Sequence, residues 1–474
     1  MRITNGIMIN NSLNNINRNK ILSDKLNTQL ATTKKIQRPS EDPIVAIRAL
    51  RLRSTYKEIE QYLKKNIPDA RSWMESTKES IESINEVLTD ISYYCNQGVN
   101  GYETVEERNT LVTTLKQLRD EIFATGDSDL VDRTIFTGYK TNSTLTFQET
   151  ETDTHYTITE EFVMDDVKNT ERIFGLDISD IREVSGSNIY NSQQHVVYLG
   201  YDEIDKVNSI TINGTTYTLE SRSKADNSVY IAVDDGKIAY VEETGELLLG
   251  ENAFNAMAAG GTMTVNYEKT GFEKGELRPE HYFTCTNETK GISYTKQDQP
   301  INYTINFNQT ITINTQAQDV LPHAIARDLD EIINSVVVAV DVQTKIDSLK
   351  KRLETETDEQ TISDINYMLE VLDLELAYAE DNMKKTFSMG IDRYKAHQQK
   401  LSIEVSDIGA RLIRLSLNEE RLTTQKLNVE DLKSQNEEIE EEEVAVEWAA
   451  AEAVYDASLA TSAKVVQKSL LDFL

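Results

Sequence analysis

Apolar side chains recur at steps of three and four along most of the first 125 residues. Ile9, Leu13 and Ile16, then Leu22, Leu26 and Leu30, mark one helical face in a stretch otherwise rich in Asn, Lys, Thr and Ser. The stripe is narrow and asparagine is a poor helix former, so this segment alone is marginal. Pro39 and Pro43 stop one helix and pre-set the next, with Ser40 or Asp42 as its N-cap. A longer periodic run follows through Val45, Ala49, Leu52, Tyr56, Ile59 and Leu63, and resumes at Ile67, Ala70, Met74, Thr77, Ile81, Ile84, Leu88, Ile91 and Cys95. Around Leu63 the register takes two consecutive steps of four and Pro68 removes a backbone donor, so a kink is expected at 64–68. The glycines and asparagines of 96–101 predict a break, and Thr104 with Glu107 reads as a capping box opening a helix with Leu111, Leu115, Leu118 and Ile122 on its apolar face.

From about 130 to 315 the grain changes. Val197 to Leu199, the Asn213-Gly214 turn between Ile210-Thr211-Ile212 and Tyr217-Thr218-Leu219, and Lys237 to Val241 are short β-type runs punctuated by glycine. Helical pattern returns near 318, with a polar interruption at Glu354 to Gln360 that predicts a hairpin of 325–353 and 361–384. Val405, Ile408, Leu412, Leu415 and Leu422 supply a second heptad seam for the seam of 45–95. After the acidic run Glu437 to Glu443, read as a solvated, flexible junction, a last helix carries Val444, Trp448, Ala451, Tyr455, Leu459, Ser462 and Val466 on one face.

The pattern predicts a mainly α fold with inserted β: long amino- and carboxy-terminal helices forming a coiled-coil rod, plus a β-rich middle domain. The expected domains are 1–42 with 438–474 as a terminal coiled coil, 43–145 with 318–437 as a helical rod bearing the hairpin near 325–384, and 146–317 as an outer β domain. An antiparallel pair of terminal helices leaves one side of each apolar stripe in water, so those helices need copies of themselves. The candidate assembly residues are Ile9, Leu13, Ile16, Leu22, Leu26, Leu30, Val444, Trp448, Ala451, Tyr455, Leu459 and Val466, with Leu470, Leu471 and Phe473 beyond them.

Composition narrows the function. Lys plus Arg number 49 against 80 Asp plus Glu, a net charge of −31 that repels phosphate backbones and anionic lipid heads, so neither nucleic acid nor membrane is an expected partner. The first twenty residues have no apolar core or small-residue cleavage site of a signal peptide. Cys95 and Cys285 lack CxxC spacing, and His155, His195, His281, His323 and His397 show no HExxH or other paired spacing, so neither a metal site nor a disulfide framework is expected. Gly260-Gly261 and Gly271 to Gly275 lack phosphate-cradling patterns, and Asp165-Asp166 and Asp234-Asp235 read as solvated turns. No catalytic residue and no cofactor is expected.

Several stretches resemble the flagellin family. Met1-Arg2-Ile3-Thr4, the run Lys34-Lys35-Ile36-Gln37-Arg38-Pro39-Ser40-Glu41-Asp42-Pro43, and Asn96-Gln97-Gly98-Val99-Asn100-Gly101 look like its amino-terminal region, and Arg133 to Asn142 is similar to the short hairpin that follows it. Ile408-Gly409-Ala410-Arg411-Leu412, Arg421-Leu422, Tyr455 to Ala460 and Leu470 to Leu474 resemble its carboxy-terminal region, so the likeness covers about half the chain. Thr33 stands where the family commonly has glycine before the basic pair. The Met1-Arg2-Ile3 start and the Ser469 to Leu474 close look like the member that joins hook to filament rather than filament flagellin. The resemblance implies a structural, non-catalytic subunit of the bacterial flagellum, exported unfolded through the flagellar type III apparatus to the cell exterior. Its implied partners are copies of itself in a ring, hook-associated protein 1, flagellin and an export chaperone. The alternatives are a filament flagellin, or a flagellar scaffold whose middle domain binds glycan or a receptor.

Overall fold

The computed structural model describes residues 5–100, 104–173, 178, 191–224 and 229–466. The chain divides into two compact units, one of residues 1–69, 304–311 and 413–474, the other of 70–303 and 312–412.

The first unit begins with α1 (Asn5–Thr32). Asp42 caps α2 (Pro43–Gln61), its carboxylate accepting the N–H groups of Ile44 at 3.0 Å and Val45 at 3.1 Å, with Pro43 placed where a missing donor costs nothing. Where the sequence predicts a kink, a π-helical turn spans Tyr62–Asn66 before α3 (Ile67–Val99). The Ile67 N–H reaches back to the Tyr62 carbonyl, so the wide turn absorbs the one extra residue that two steps of four impose and accommodates Pro68 without ending the helix. The Asn66 amide donates to the Thr304 carbonyl at 2.7 Å, and the Tyr62 ring meets Phe307 edge-on at 5.6 Å.

In the second unit, α3 continues against α4 (Val105–Gly126), α7 (Ala324–Thr355) and the first half of α8 (Glu359–Glu437). Met74, Ile81, Ile84, Leu88 and Ile91 are fully buried, as are Phe387 and Tyr394 of α8. The Thr104 and Glu107 capping box is present, each bond 3.3 Å. The expected break at 96–101 comes later than the sequence suggests: α3 runs through Val99, with Gly98 inside it. Gly98 serves packing here, since a Cβ would lie 2.6 Å from the buried Phe387 ring. Gly98→Ala should therefore lower the stability of this unit by about 1–2 kcal/mol, overpacking exceeding the gain of ~1 kcal/mol in helix propensity. Denaturant unfolding of the two proteins measures it.

The β-rich region holds two sheets. One has the order β11 (Ile292–Tyr294), β10 (Thr284–Asn287), β1 (Glu151–Phe162), β9 (Met263–Phe272), β4 (Lys206–Ile212), β5 (Thr215–Thr216); the other has β2 (Lys168–Ile173), β3 (Asn191–Tyr198), β8 (Glu246–Leu249), β7 (Lys237–Val241), β6 (Thr218–Arg222). Alternating residues of β1, β9 and β4, including Ile158, Tyr267, Val265 and Ile210, share one core with Val197, Ile238 and Leu247 of the other sheet and with Met257 of α5 (Glu251–Ala258). Asn213 and Gly214 take positive φ of 51° and 79°, the geometry a two-residue hairpin demands. The hairpin is short: after β5 the chain leaves for the other sheet, where β6 lies parallel to β7. A hairpin of β12 (Asn302–Asn306) and β13 (Gln309–Thr312) and a single turn, α6 (Ala317–Val320), lead back to α7. Cys95 and Cys285 are both buried and unbridged.

A buried charge network ties α7 and α8 to β2. Asp328 accepts from His397 at 2.9 Å and pairs with Arg393 at 3.3 Å and with Lys168, while Arg393 also pairs with Glu331. Arg327 donates to the carbonyls of Leu199 at 2.9 Å, Tyr201 at 3.2 Å and Thr244 at 2.6 Å. Burial alone would push the Asp328 carboxyl up, but the His397 hydrogen bond and the charges of Lys168 and Arg393 outweigh it and hold it at about 2.

Candidate functional site

The chain ends meet within the first unit. α1 packs along α9 (Glu441–Val466). Thr33 lies beside Ile439 and Asn19 beside Ser458, so the pair is antiparallel. Its inner row on α1 is Ile9, Ser12, Ile16, Asn19, Ser23, Leu26 and Leu30; on α9 it is Val444, Trp448, Ala451, Tyr455, Ser458 and Ser462. Every one of these is buried or half-buried, and the spacing alternates strictly between three and four. About half of this seam is small or polar. The Asn19 amide donates to the Ser458 hydroxyl at 2.7 Å, which fixes register while giving up apolar burial.

Of the residues read from the sequence, Ile9, Ile16, Leu26, Leu30, Val444, Trp448, Ala451 and Tyr455 fall in this row. Leu13, Leu22 and Leu459 do not; they face solvent, together with Ile7, Met8, Ile21, Val446 and Val454. The Val466 side chain and Leu470, Leu471 and Phe473 lie outside the described residues. Sequence reading missed Ser12, Asn19, Ser23 and Ser458 because it followed apolarity; counting a strict heptad back from Leu30 would have found the first three.

A clasp holds the two ends together. Lys35 N–H donates to the Glu437 carbonyl at 2.8 Å and Ile439 N–H to the Thr33 carbonyl at 3.2 Å. The Glu437 carboxylate, buried, accepts from Arg53 Nε at 2.8 Å; Lys34 pairs with Glu438 at 3.0 Å; the Asn436 amide donates to the Val45 carbonyl at 3.1 Å. Hydrogen bonds from Ser434 and Lys34 hold the Glu438 carboxyl below its usual range. This corrects the reading of 437–443 as a flexible junction: Glu437 and Glu438 are anchored by cations, and only Glu440 to Glu443 stand in solvent, at the start of α9 where the helix dipole favours them.

Thr33 occupies the clasp with φ of 56°, a left-handed conformation that a β-branched residue adopts at a cost. Thr33→Gly should accordingly stabilise the closed clasp by about 1 kcal/mol. Slower hydrogen exchange at the amides of Lys35 and Ile439 is the expected readout.

Among the described residues no cluster of His, Cys, Asp and Glu is placed to hold a metal ion, and no helix is long and apolar enough to cross a membrane. Terminal helices joined by a heptad seam and a clasp, with a β-rich region between them in the sequence, define a chain with a coiled-coil frame. Residues 3–141 match the family model of the bacterial flagellin N-terminal helical region. It is similar to flagellar hook-associated protein 3 of Salmonella typhimurium, with 31% identity over 149 residues, covering 30% of this chain and 45% of that protein. The chain thus spans less than half the length of that relative. Among solved structures it aligns with Xanthomonas campestris FlgL (9% identity, 80% of this chain and 98% of that one, TM-score 0.32) and with flagellar hook associated protein-3 of Legionella pneumophila (9% identity, 81% and 97%, TM-score 0.34).

Proposed function

We propose that this chain is the subunit that joins hook to filament in the bacterial flagellum, a hook-associated protein 3, acting as a structural adaptor without catalysis. The observation that carries the reading is the terminal pair: its inner seam is only half apolar, while Met8, Leu13, Ile21 and Leu22 on one helix and Val446, Val454 and Leu459 on the other remain open to solvent. Such faces gain free energy by burial against the same helices of neighbouring copies, at about 25 cal/mol per Å² covered. A head-to-tail arrangement of this kind closes into a ring or winds into a tube.

The partners that follow are further copies of the chain, hook-associated protein 1 on the hook side and flagellin on the filament side. Before assembly an export chaperone holds the carboxy-terminal helix, and the chain reaches the cell exterior through the flagellar type III apparatus. Immunogold labelling of isolated hook-filament complexes tests the reading. A single band at the junction is the expected result; label along the whole filament would make the chain a filament flagellin instead.

A further inference from the structure

In the first unit, α2 and the end of α8 pack through Ala46, Ala49 and Ile59 on one side and Leu415, Leu422 and Val429 on the other. The Asn436 bond to Val45, and Lys426 and Lys433 over the Tyr56 ring at 5.3 and 5.2 Å, fix an antiparallel register. Each helix carries a second stripe, turned away from the other helix. On α8, Ile413, Leu417, Glu420, Thr424, Leu427 and Asp431 follow steps of four and three, and Ile413, Leu417 and Leu427 are 66%, 62% and 62% exposed. On α2, Ile44, Ile47 and Leu50 are 73%, 55% and 64% exposed. Three large aliphatics in open water on each helix, turned away from the other helix, are more than scattered surface residues.

Their charges differ in sign. The α2 stripe is flanked by Arg48 and Arg51, both exposed; the α8 stripe contains Glu420 and Asp431 and is flanked by Glu430, with Arg421 as a cation among them. Neither Arg51 nor Glu430 is ion-paired within its own copy among the described residues. We infer that the outer face of α2 in one copy docks on the outer face of α8 in the next, making the lateral contact between neighbouring subunits. Carrying over the register that sets Asn436 beside Val45 brings Glu430 of one copy opposite Arg51 of its neighbour, and Arg421 near Glu58. Complementary faces on opposite sides make the contact heterologous, which is what a ring of identical subunits needs. The inference rests on the reading of the chain as a self-assembling subunit and adds a contact separate from the terminal helices.

The test uses the full-length chain in cells lacking the native copy. In the double variant Arg51→Cys with Glu430→Cys, oxidation of isolated flagella should give disulfide-linked multimers on non-reducing gels, and each single variant should stay monomeric. The two positions face apart within one copy, and Cys95 and Cys285 are buried, so the crosslinks report the contact between copies. Arg51→Glu and Glu430→Arg singly should each cut the number of attached filaments at least about tenfold, the work of roughly 1.4 kcal/mol per contact, and the two together should restore it. Absence of crosslinks while immunogold still marks the junction, or a double charge variant no better than the singles, overturns this contact and leaves the junction reading standing. Absence of the chain from the junction overturns both.

Discussion

Truncation after Ile439 is expected to abolish attachment to the hook while leaving the second unit folded. The deletion removes α9 and with it the whole partner surface of α1. A 28-residue helix with asparagine at many positions and a seam interrupted by Ser12, Asn19 and Ser23 cannot hold itself in water. The truncated chain should therefore lose protease protection over 5–32. The core of α3, α4, α7 and the start of α8 lies in the other unit and shares none of the deleted residues, so its thermal transition should not move. Limited proteolysis, calorimetry and motility complementation report these three effects. Functional flagella from the truncated chain would refute the role given to the terminal pair.

The second large effect is expected at Asp328. Replacing it by Ala leaves Lys168, Arg393 and His397 facing a buried gap, and removing one partner of such a network costs about 3–5 kcal/mol because the remaining charges stay desolvated. The transition of the second unit should fall by on the order of 10 °C. Acid reports the same group. Its folded value of about 2 lies below the unfolded carboxylate value near 4. Its stabilisation is therefore complete above about pH 4 and is lost as pH falls through about 2, amounting to roughly 2 kcal/mol. Wild type should lose that increment between pH 4 and pH 2, and Asp328→Ala should not. Equal acid sensitivity of the two proteins would assign the loss to other carboxylates.

The long helices were legible because their cores are built on one repeating physical rule, apolar burial every three or four residues, seen in Met74, Ile81, Leu88 and Cys95. The caps at Asp42 and Thr104 were legible for a local reason, a side chain bonding its own helix start. The terminal seam was only half legible. Where Asn19 and Ser458 take seam positions, hydropathy carries no trace of burial, and apolarity alone does not separate the seam within one copy from the exposed Leu13, Leu22 and Leu459. Long-range pairing left no local mark at all. Glu437 looks like any residue in an acidic run until Arg53 arrives from 384 positions away. The crossing of β6 into the second sheet is equally invisible, since a hairpin sequence specifies its turn and not where the strand goes after two residues.

The clasp also sets an order of events. Lys34 and Glu438 are 404 residues apart, so the loop they close is nearly the whole polypeptide, and its closure entropy must be met before either contact forms. The clasp is therefore expected to close only after the second unit has folded. A protein gripping 441–466 would deny α1 the helix it packs along, and its release would let the two ends pair.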